Sequence, residues 1–450
     1  MEKVSSYIAQ AAGEPLPEPV AEKAKHHILD TIAAIVSGSE LRPGRLAIDY
    51  VASQGGTGEA TVLGSPIVTT AVNAAFANGM LAHADETDDS HAPSLTHPGC
   101  AVVPAALAMA EKGGRSGREF LRAVVCGYDI GTRTTMALGP EEMNKALISS
   151  HTVGGQFGAA AAAGSLAGLS ERQARYLLSY MVQQASGVTC WARDEQHVEK
   201  AFVFGGMPAH NGVLAATMVS AGFTGLEDAW SGDRNFFEAF SGGADPERLT
   251  RGLGQDFEIL NTNIKKWSVG SPIQAAVDAL LELREAAALD PDDVEEIRVR
   301  VSESGARTVD RRRMPDINMQ HIMALVLLDG HLTFKATQDY DRMDDPRVID
   351  VRRKVTLEGD EELTRALPSR QAIVTVRTRE GEELTSYIRS VRGTADNPMT
   401  RQEVEKKAVD LLEPVLGGRQ TDRVVESVWQ LERIDRIGEI CGFLRPGGDS

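Results

Sequence analysis

Between Gly79 and Gly99 the chain gathers three histidines (His83, His91, His97), four carboxylates (Asp85, Glu86, Asp88, Asp89) and four hydroxyls (Thr87, Ser90, Ser94, Thr96). Imidazole gains and loses a proton near neutral pH, and a neighbouring carboxylate orients it, so this mixture suits proton transfer. Apolar helical runs flank the segment on both sides. Burying so many polar groups costs free energy unless their partners are arranged in advance. Two readings follow: a functional site, or a capping network in which Asp88, Asp89 or Ser90 closes helix ends. No metal is expected, because neither an HxH nor an HExxH spacing occurs. Farther along stand His151, Lys200 and the pair Lys265-Lys266. Taken singly, each also fits a structural histidine or a surface lysine.

A chain of 450 residues exceeds what one hydrophobic core usually serves, so two domains are expected. The apolar fraction of 42% and charged fraction of 25% are those of an ordinary globular protein. A net charge of −17 opposes nucleic acid and anionic membrane as partners, and no basic run is longer than one such as Arg311-Arg312-Arg313. The same charge repels a small anionic substrate. A site for one must therefore concentrate cations locally.

Cys100, Cys126, Cys190 and Cys441 are widely spaced and form no CxxC pair, which points to buried or inert thiols in a reducing compartment. The first residues lack a basic stretch followed by an apolar core, so no signal peptide is read. The apolar stretch from Gly154 to Gly168 is too short and too rich in Ala and Gly to span a bilayer. A cytoplasmic location, with no membrane contact, is the expectation.

The elements that must position these residues are legible in outline. Up to about residue 260 the period is helical. Ile28, Leu29, Ile32 and Ile35 mark one helix face. Ser116-Gly117-Arg118-Glu119 and Ser170-Glu171-Arg172-Gln173 are capping boxes before apolar runs. The small residues Ala159 to Ala163 predict a tightly packed central helix. After Lys266 the texture changes. Val294 to Ser302 alternates as a strand, and Ala372–Arg377 and Leu384–Ile388 read as a hairpin turning at Glu380-Gly381. Helical segments at Ile273–Ala288 and Gln320–Leu328 fall between them, and Thr400-Arg401-Gln402-Glu403 reopens a helical pattern. The expected class is mainly α: a large all-helical domain formed by both chain ends, plus a smaller α+β domain. The expected division is 1–265, 266–398 and a returning segment 399–450.

The histidine-rich segment resembles the signature of the MmgE/PrpD family, which includes 2-methylcitrate dehydratases, cis-aconitate decarboxylases and iminodisuccinate epimerases. The residues carrying the resemblance are Asn78-Gly79, His83, Glu86, Asp88, Asp89 and Ser90, then His97-Pro98-Gly99 and Val103-Pro104-Ala105-Ala106. It continues through His151 and through Lys200 with Gly205-Gly206 and Asn211-Gly212. Beyond these come Lys265-Lys266-Trp267 and Leu327-Leu328-Asp329-Gly330. The resemblance implies a helical main domain, an α+β domain, a homodimer, a site in the cleft between domains, and catalysis without metal or organic cofactor. Carried over residue by residue, it makes His97, His151, Glu86 and Ser90 the catalytic candidates. Lys200, Lys265, Lys266, His321 and Asp89 are the candidates for holding substrate, with Lys266 the alternative register to Lys265.

Physical chemistry asks for the same parts. Breaking a bond beside a carboxylate develops an enolate-like dianion, so a proton-transfer group must sit beside cations. The expected function is a lyase acting on a small di- or tricarboxylate, foremost a 2-methylcitrate dehydratase-like hydro-lyase. The alternatives are a decarboxylase, an epimerase or a non-catalytic family member. Four departures separate this sequence from the family pattern: Glu86 for aspartate, Ser268 for proline, Gln274 for histidine, and His321 near a tyrosine of the decarboxylases.

Overall fold

A computed structural model of the chain describes residues 1–446; residues 447–450, the end of the expected returning segment, lie outside the described residues. The chain divides into two units. The first comprises Met1–Ala84, Asp88–Asn263 and the segment from Arg401 on; the second comprises Asp85–Thr87 and Ile264–Thr400.

The first unit is built from helices α1 (Glu18–Gly38), α2 (Ala71–Ala82), α3 (Gly99–Lys112), α4 (Gly117–Leu138), α5 (Ser150–Leu166), α6 (Glu171–Gln184) and α7 (Met207–Ser220). Helices α4 and α6 begin at the expected capping boxes, Ser116 with Glu119 and Ser170 with Gln173. Helix α5 is buried along its whole length from Thr152 to Leu166. It has no polar face, so only close neighbours can cover it. Small residues permit that closeness. A Cβ on Gly131 of α4 would stand 2.5 Å from the Gly154 carbonyl oxygen, and one on Gly212 of α7 would stand 2.6 Å from the Ala160 nitrogen. One part of this unit is stranded: β1 (Ala60–Thr61) and β2 (Val68–Thr69) form a short antiparallel ribbon. Its Gly64-Ser65-Pro66 turn interrupts the helical period, and two-residue strands are too short for an alternation to register.

The second unit holds a four-stranded sheet in the order β4–β3–β5–β6, made of β3 (Val294–Ser302), β4 (Val355–Asp360), β5 (Ala372–Thr378) and β6 (Glu383–Ile388). Strand β3 runs parallel to β4, with Val299 opposite Leu357, and antiparallel to β5, with Val299 opposite Val374. Buried Val294, Ile297, Val299 and Val301 face α8 (Gln274–Ala287) and α9 (Met319–Asp329) in one apolar core. Strand β4 escapes a pattern reading because Glu358, Gly359 and Asp360 end it as a polar run.

Helix α10 (Arg401–Leu416) belongs to the first unit again. Its Lys407 donates to Asp30 of α1 at 2.5 Å, and both side chains are buried. The architecture is therefore mainly α, with a smaller α+β unit. No helix among the described residues is long and apolar enough to cross a membrane.

A tight crossing places α2 against a π-helical turn, Phe202–Gly206, that precedes α7. A Cβ on Gly205 would lie 2.0 Å from the Gly79 carbonyl oxygen, and one on Gly79 would lie 2.4 Å from that of Gly205. Backbone, not a flexible side chain, is the obstacle. We predict that Gly205→Ala lowers unfolding stability by about 1–3 kcal/mol or more, read as a lower melting temperature by calorimetry. An unchanged melting temperature would refute the crossing.

Candidate functional site

The Gly79–Gly205 contact decides what stands beside it. His83 caps α2 one turn after Gly79, and Phe204 immediately precedes Gly205. Their rings stack with centroids 4.3 Å apart and planes 13° apart. His151 stacks on Phe204 as well, at 4.1 Å and 18°. Two rings cannot share one face, so Phe204 is sandwiched between the imidazoles. His97 meets both, with its centroid 5.2 Å from each. Lys200 places Nζ 5.3 Å from the Phe204 centroid and 5.7 Å from that of Trp191. Trp191 in turn lies edge-on to His151. His97, His151 and Lys200 are thus brought together around one aromatic ring.

The loop carrying His97 is held at several points. His91 and Thr96 exchange backbone hydrogen bonds, and Leu95 between them takes a φ of 50°. Ser150 Oγ donates to the Leu95 carbonyl at 2.7 Å, fastening the loop to the residue beside His151. At the loop's start, Ser90 exchanges backbone bonds with Asn263. Ser90 is half-buried.

Two adjacent carboxylates fasten this segment in different ways. Asp88 accepts from His83 Nδ1 at 2.9 Å and from His97 Nδ1 at 3.1 Å. A carboxylate only accepts, so Nδ1 carries the hydrogen in both rings and Nε2 of His97 is the atom left for chemistry. Asp89, expected to hold substrate, is instead a structural tie. It is buried, and it accepts from His27 Nδ1 (2.7 Å), Tyr128 Oη (2.5 Å) and the Gly99 amide at the start of α3 (2.9 Å). Both its oxygens are taken, and a carboxylate at a helix N-terminus is favourably placed.

Burial sets the charge states. It holds His83 down to about 4, with Asp88 opposing and Lys200 and His97 assisting. Burial also pushes His151 well below its ordinary range, and the charges of His97 and Lys200 push the same way. His151 is the second residue of α5, where the positive helix end disfavours imidazolium further. It is therefore a neutral ring at neutral pH.

The remaining expected residues lie in the second unit. Lys265 donates to the Glu86 carbonyl at 2.9 Å and reaches its carboxylate at 3.3 Å, the two side chains being 3% and 7% exposed. Lys266 pairs with Asp278 at 3.3 Å and lies over the Trp267 ring at 4.6 Å. Both contacts lie within its own unit. His321 is fully buried on α9; burial, then Arg352 and Arg342, hold it near 4, and neither ring nitrogen has a hydrogen-bond partner. Sequence reasoning missed Phe204 and Trp191 as parts of the cluster, and it named His83 and Asp88 without giving either a catalytic or substrate-holding role. Asp88 stood within the recognised signature, whereas no periodicity marks Phe204.

Among the described residues, His83, Asp88 and His97 offer ligand atoms within 4.8 Å of one another. A cation there would have to displace both Nδ1–H donors from Asp88.

Comparison with known proteins gives a consistent match. The MmgE/PrpD N-terminal domain profile matches residues 2–249, and the C-terminal domain profile matches residues 267–431. The chain is similar to the cis-aconitate decarboxylase-like protein oryM of Aspergillus oryzae, 25% identical over 98% of this chain and 96% of that one. It is equally similar to the cis-aconitate decarboxylase of Aspergillus terreus, at 25% over 98% and 95%. The human cis-aconitate decarboxylase is 25% identical over 96% of this chain and 91% of its own.

Two predictions follow from these charge states. His83 binds a proton less readily folded (about 4) than unfolded (6.5), so the unfolded state gains protons first on acidification. Its contribution is fully present above pH 6.5 and falls by about 3 kcal/mol by pH 4. Denaturation of His83→Asn should accordingly show the variant gaining on the wild type by that amount over this interval; parallel pH curves would contradict it. For Lys265, substitution by Ala removes a cation that stands 3.3 Å from the buried Glu86 carboxylate and should cost about 1–3 kcal/mol. The double substitution with Glu86→Leu should recover much of that. Equal losses in single and double variants would rule out the pairing.

Proposed function

Because the chain belongs to the MmgE/PrpD family, we propose that it is a lyase acting beside a carboxylate of a small polycarboxylate, and within that class a decarboxylase of cis-aconitate type. The relatives favour decarboxylation over the hydro-lyase reading, since three that span nearly the whole chain carry that activity or likeness in their names. The observation that carries the reading is the Asp88–His97 pair beside neutral His151 and the Lys200 cation.

The chemistry is balanced by one proton. Cis-aconitate trianion plus H⁺ gives methylenesuccinate dianion plus CO₂. The electrons of the broken C–C bond enter the allylic system, and a carbon of that system takes the proton. His97 is the donor in this reading: Nδ1–H stays on Asp88 while Nε2 delivers the proton, and the carboxylate balances charge on the ring whenever both nitrogens are protonated. His151 is unsuited to donate because its imidazolium is disfavoured, so it accepts a hydrogen bond or steers the substrate. Lys200, placed beside Phe204 and Trp191, binds a substrate carboxylate and stabilises the developing dianion.

A dehydratase would need two groups, one removing the α-proton and one protonating the departing hydroxyl. Assays on cis-aconitate, 2-methylcitrate, citrate and racemisable succinate derivatives separate the readings. We expect CO₂ release from cis-aconitate, with Lys200→Ala lowering kcat/KM about ten- to hundredfold and His97→Gln lowering kcat by about 10²-fold or more. Turnover of 2-methylcitrate alone would restore the hydro-lyase reading. Full activity in Lys200→Ala would remove the lysine from the site.

A further inference from the structure

We propose that Asp88 is a positioning residue shared by two imidazoles, and that His83, which never meets substrate, works through it to hold His97 in the tautomer that leaves Nε2 available. The functional half of this inference rests on the reading of His97 as the proton-transfer group. The structural half does not.

The geometry carries the argument. Asp88 is wholly buried, and so is His83, whose side chain has no exposed surface; His97 keeps 12% of its side chain exposed. Of the two rings on this carboxylate, only His97 can reach a ligand. His83 Nδ1 approaches Oδ2 at 2.9 Å, while His97 Nδ1 is equidistant from both oxygens at 3.1 Å. His83 therefore occupies one side of the carboxylate and limits where the His97 donor can settle. Its own Nε2 is buried without a hydrogen-bond partner. Only a lone pair is tolerable there, since an unpaired N–H would forfeit a stronger hydrogen bond. The Asp88 acceptor puts the hydrogen of His83 on Nδ1, and the unpartnered Nε2 agrees with that tautomer. Phe204 stacks on the His83 ring and fixes its plane. Proton, plane and acceptor are all determined, so the chain His83–Asp88–His97 has one arrangement.

This assigns distinct consequences to substitutions that would look alike in a merely structural role. The Asn side-chain nitrogen falls where His Nδ1 stood, so His83→Asn retains the donor to Asp88, whereas His83→Leu keeps bulk and loses it. Asp88→Asn offers an NH₂ as well as a carbonyl and no longer dictates which nitrogen of His97 is protonated.

The experiment is nitrogen-15 NMR of histidine-labelled full-length protein at neutral pH, combined with steady-state kinetics on cis-aconitate. The wild type should show His97 as the Nδ1–H tautomer, and Asp88→Asn should show mixed tautomers. His83→Asn should keep kcat within about threefold, His83→Leu should lose about tenfold, and Asp88→Asn about hundredfold, each with KM little changed. An Nε2–H tautomer in the wild type, or a tautomer unaltered by Asp88→Asn, overturns the proposal. So does equal loss in His83→Asn and His83→Leu. Titration with Zn²⁺ alone is the remaining arm: stoichiometric uptake that displaces both Nδ1 hydrogens would make the trio a metal site and overturn it too. If no variant and no wild type turns over cis-aconitate, the substrate reading has failed, and the tautomer measurements still decide the positioning.

Discussion

Buried carboxylates must be met by donors, and in the first unit this requirement organises everything near the site. Asp88 and Asp89 are neighbours in the chain, both buried, and they recruit separate partners. Asp89 takes donors from α1, α4 and the start of α3, and so pins the histidine-rich segment to three helices at once. Asp88 takes two imidazole donors and so imposes a tautomer on each. Losing either carboxylate would strand polar groups where water cannot reach them, which makes the arrangement cooperative.

The second requirement is steric. Imidazole and phenyl rings can sandwich here only because the backbones behind them touch. Gly79 and Gly205 bring α2 and the π-helical turn into carbonyl contact, and a π-turn widens the local spiral so that Phe204 projects between His83 and His151. Gly131, Gly154 and Gly212 do the same for the buried helix α5, whose N-terminus carries His151. Small residues in this fold create the closeness that the ring cluster needs.

Electrostatics then sorts the histidines into different tasks. Desolvation keeps His83 and His151 neutral, and the Lys200 cation acts in the same direction on both. In a protein of net charge −17, one lysine is thereby placed beside aromatic rings and imidazoles that stay uncharged.

Composition, helical period and capping boxes were enough to read the mainly α class, the strand at Val294–Ser302, the hairpin after Ala372 and the starts of α4 and α6, because each depends on local contacts within a few residues. The order of motifs from Asn78 to Gly330 was enough to read the family. What the sequence could not decide was the use of each polar residue. Asp88 and Asp89 are the same residue type at consecutive positions, yet one orients catalytic candidates and the other ties helices. Lys265 and Lys266 are likewise adjacent, yet one is buried on Glu86 and the other lies over Trp267. Grouping of Asp85–Thr87 with the second unit is equally invisible in the chain order. A side chain's partners are fixed by residues distant in sequence, and only the tertiary structure decides whether a histidine meets a carboxylate, an aromatic face or nothing at all.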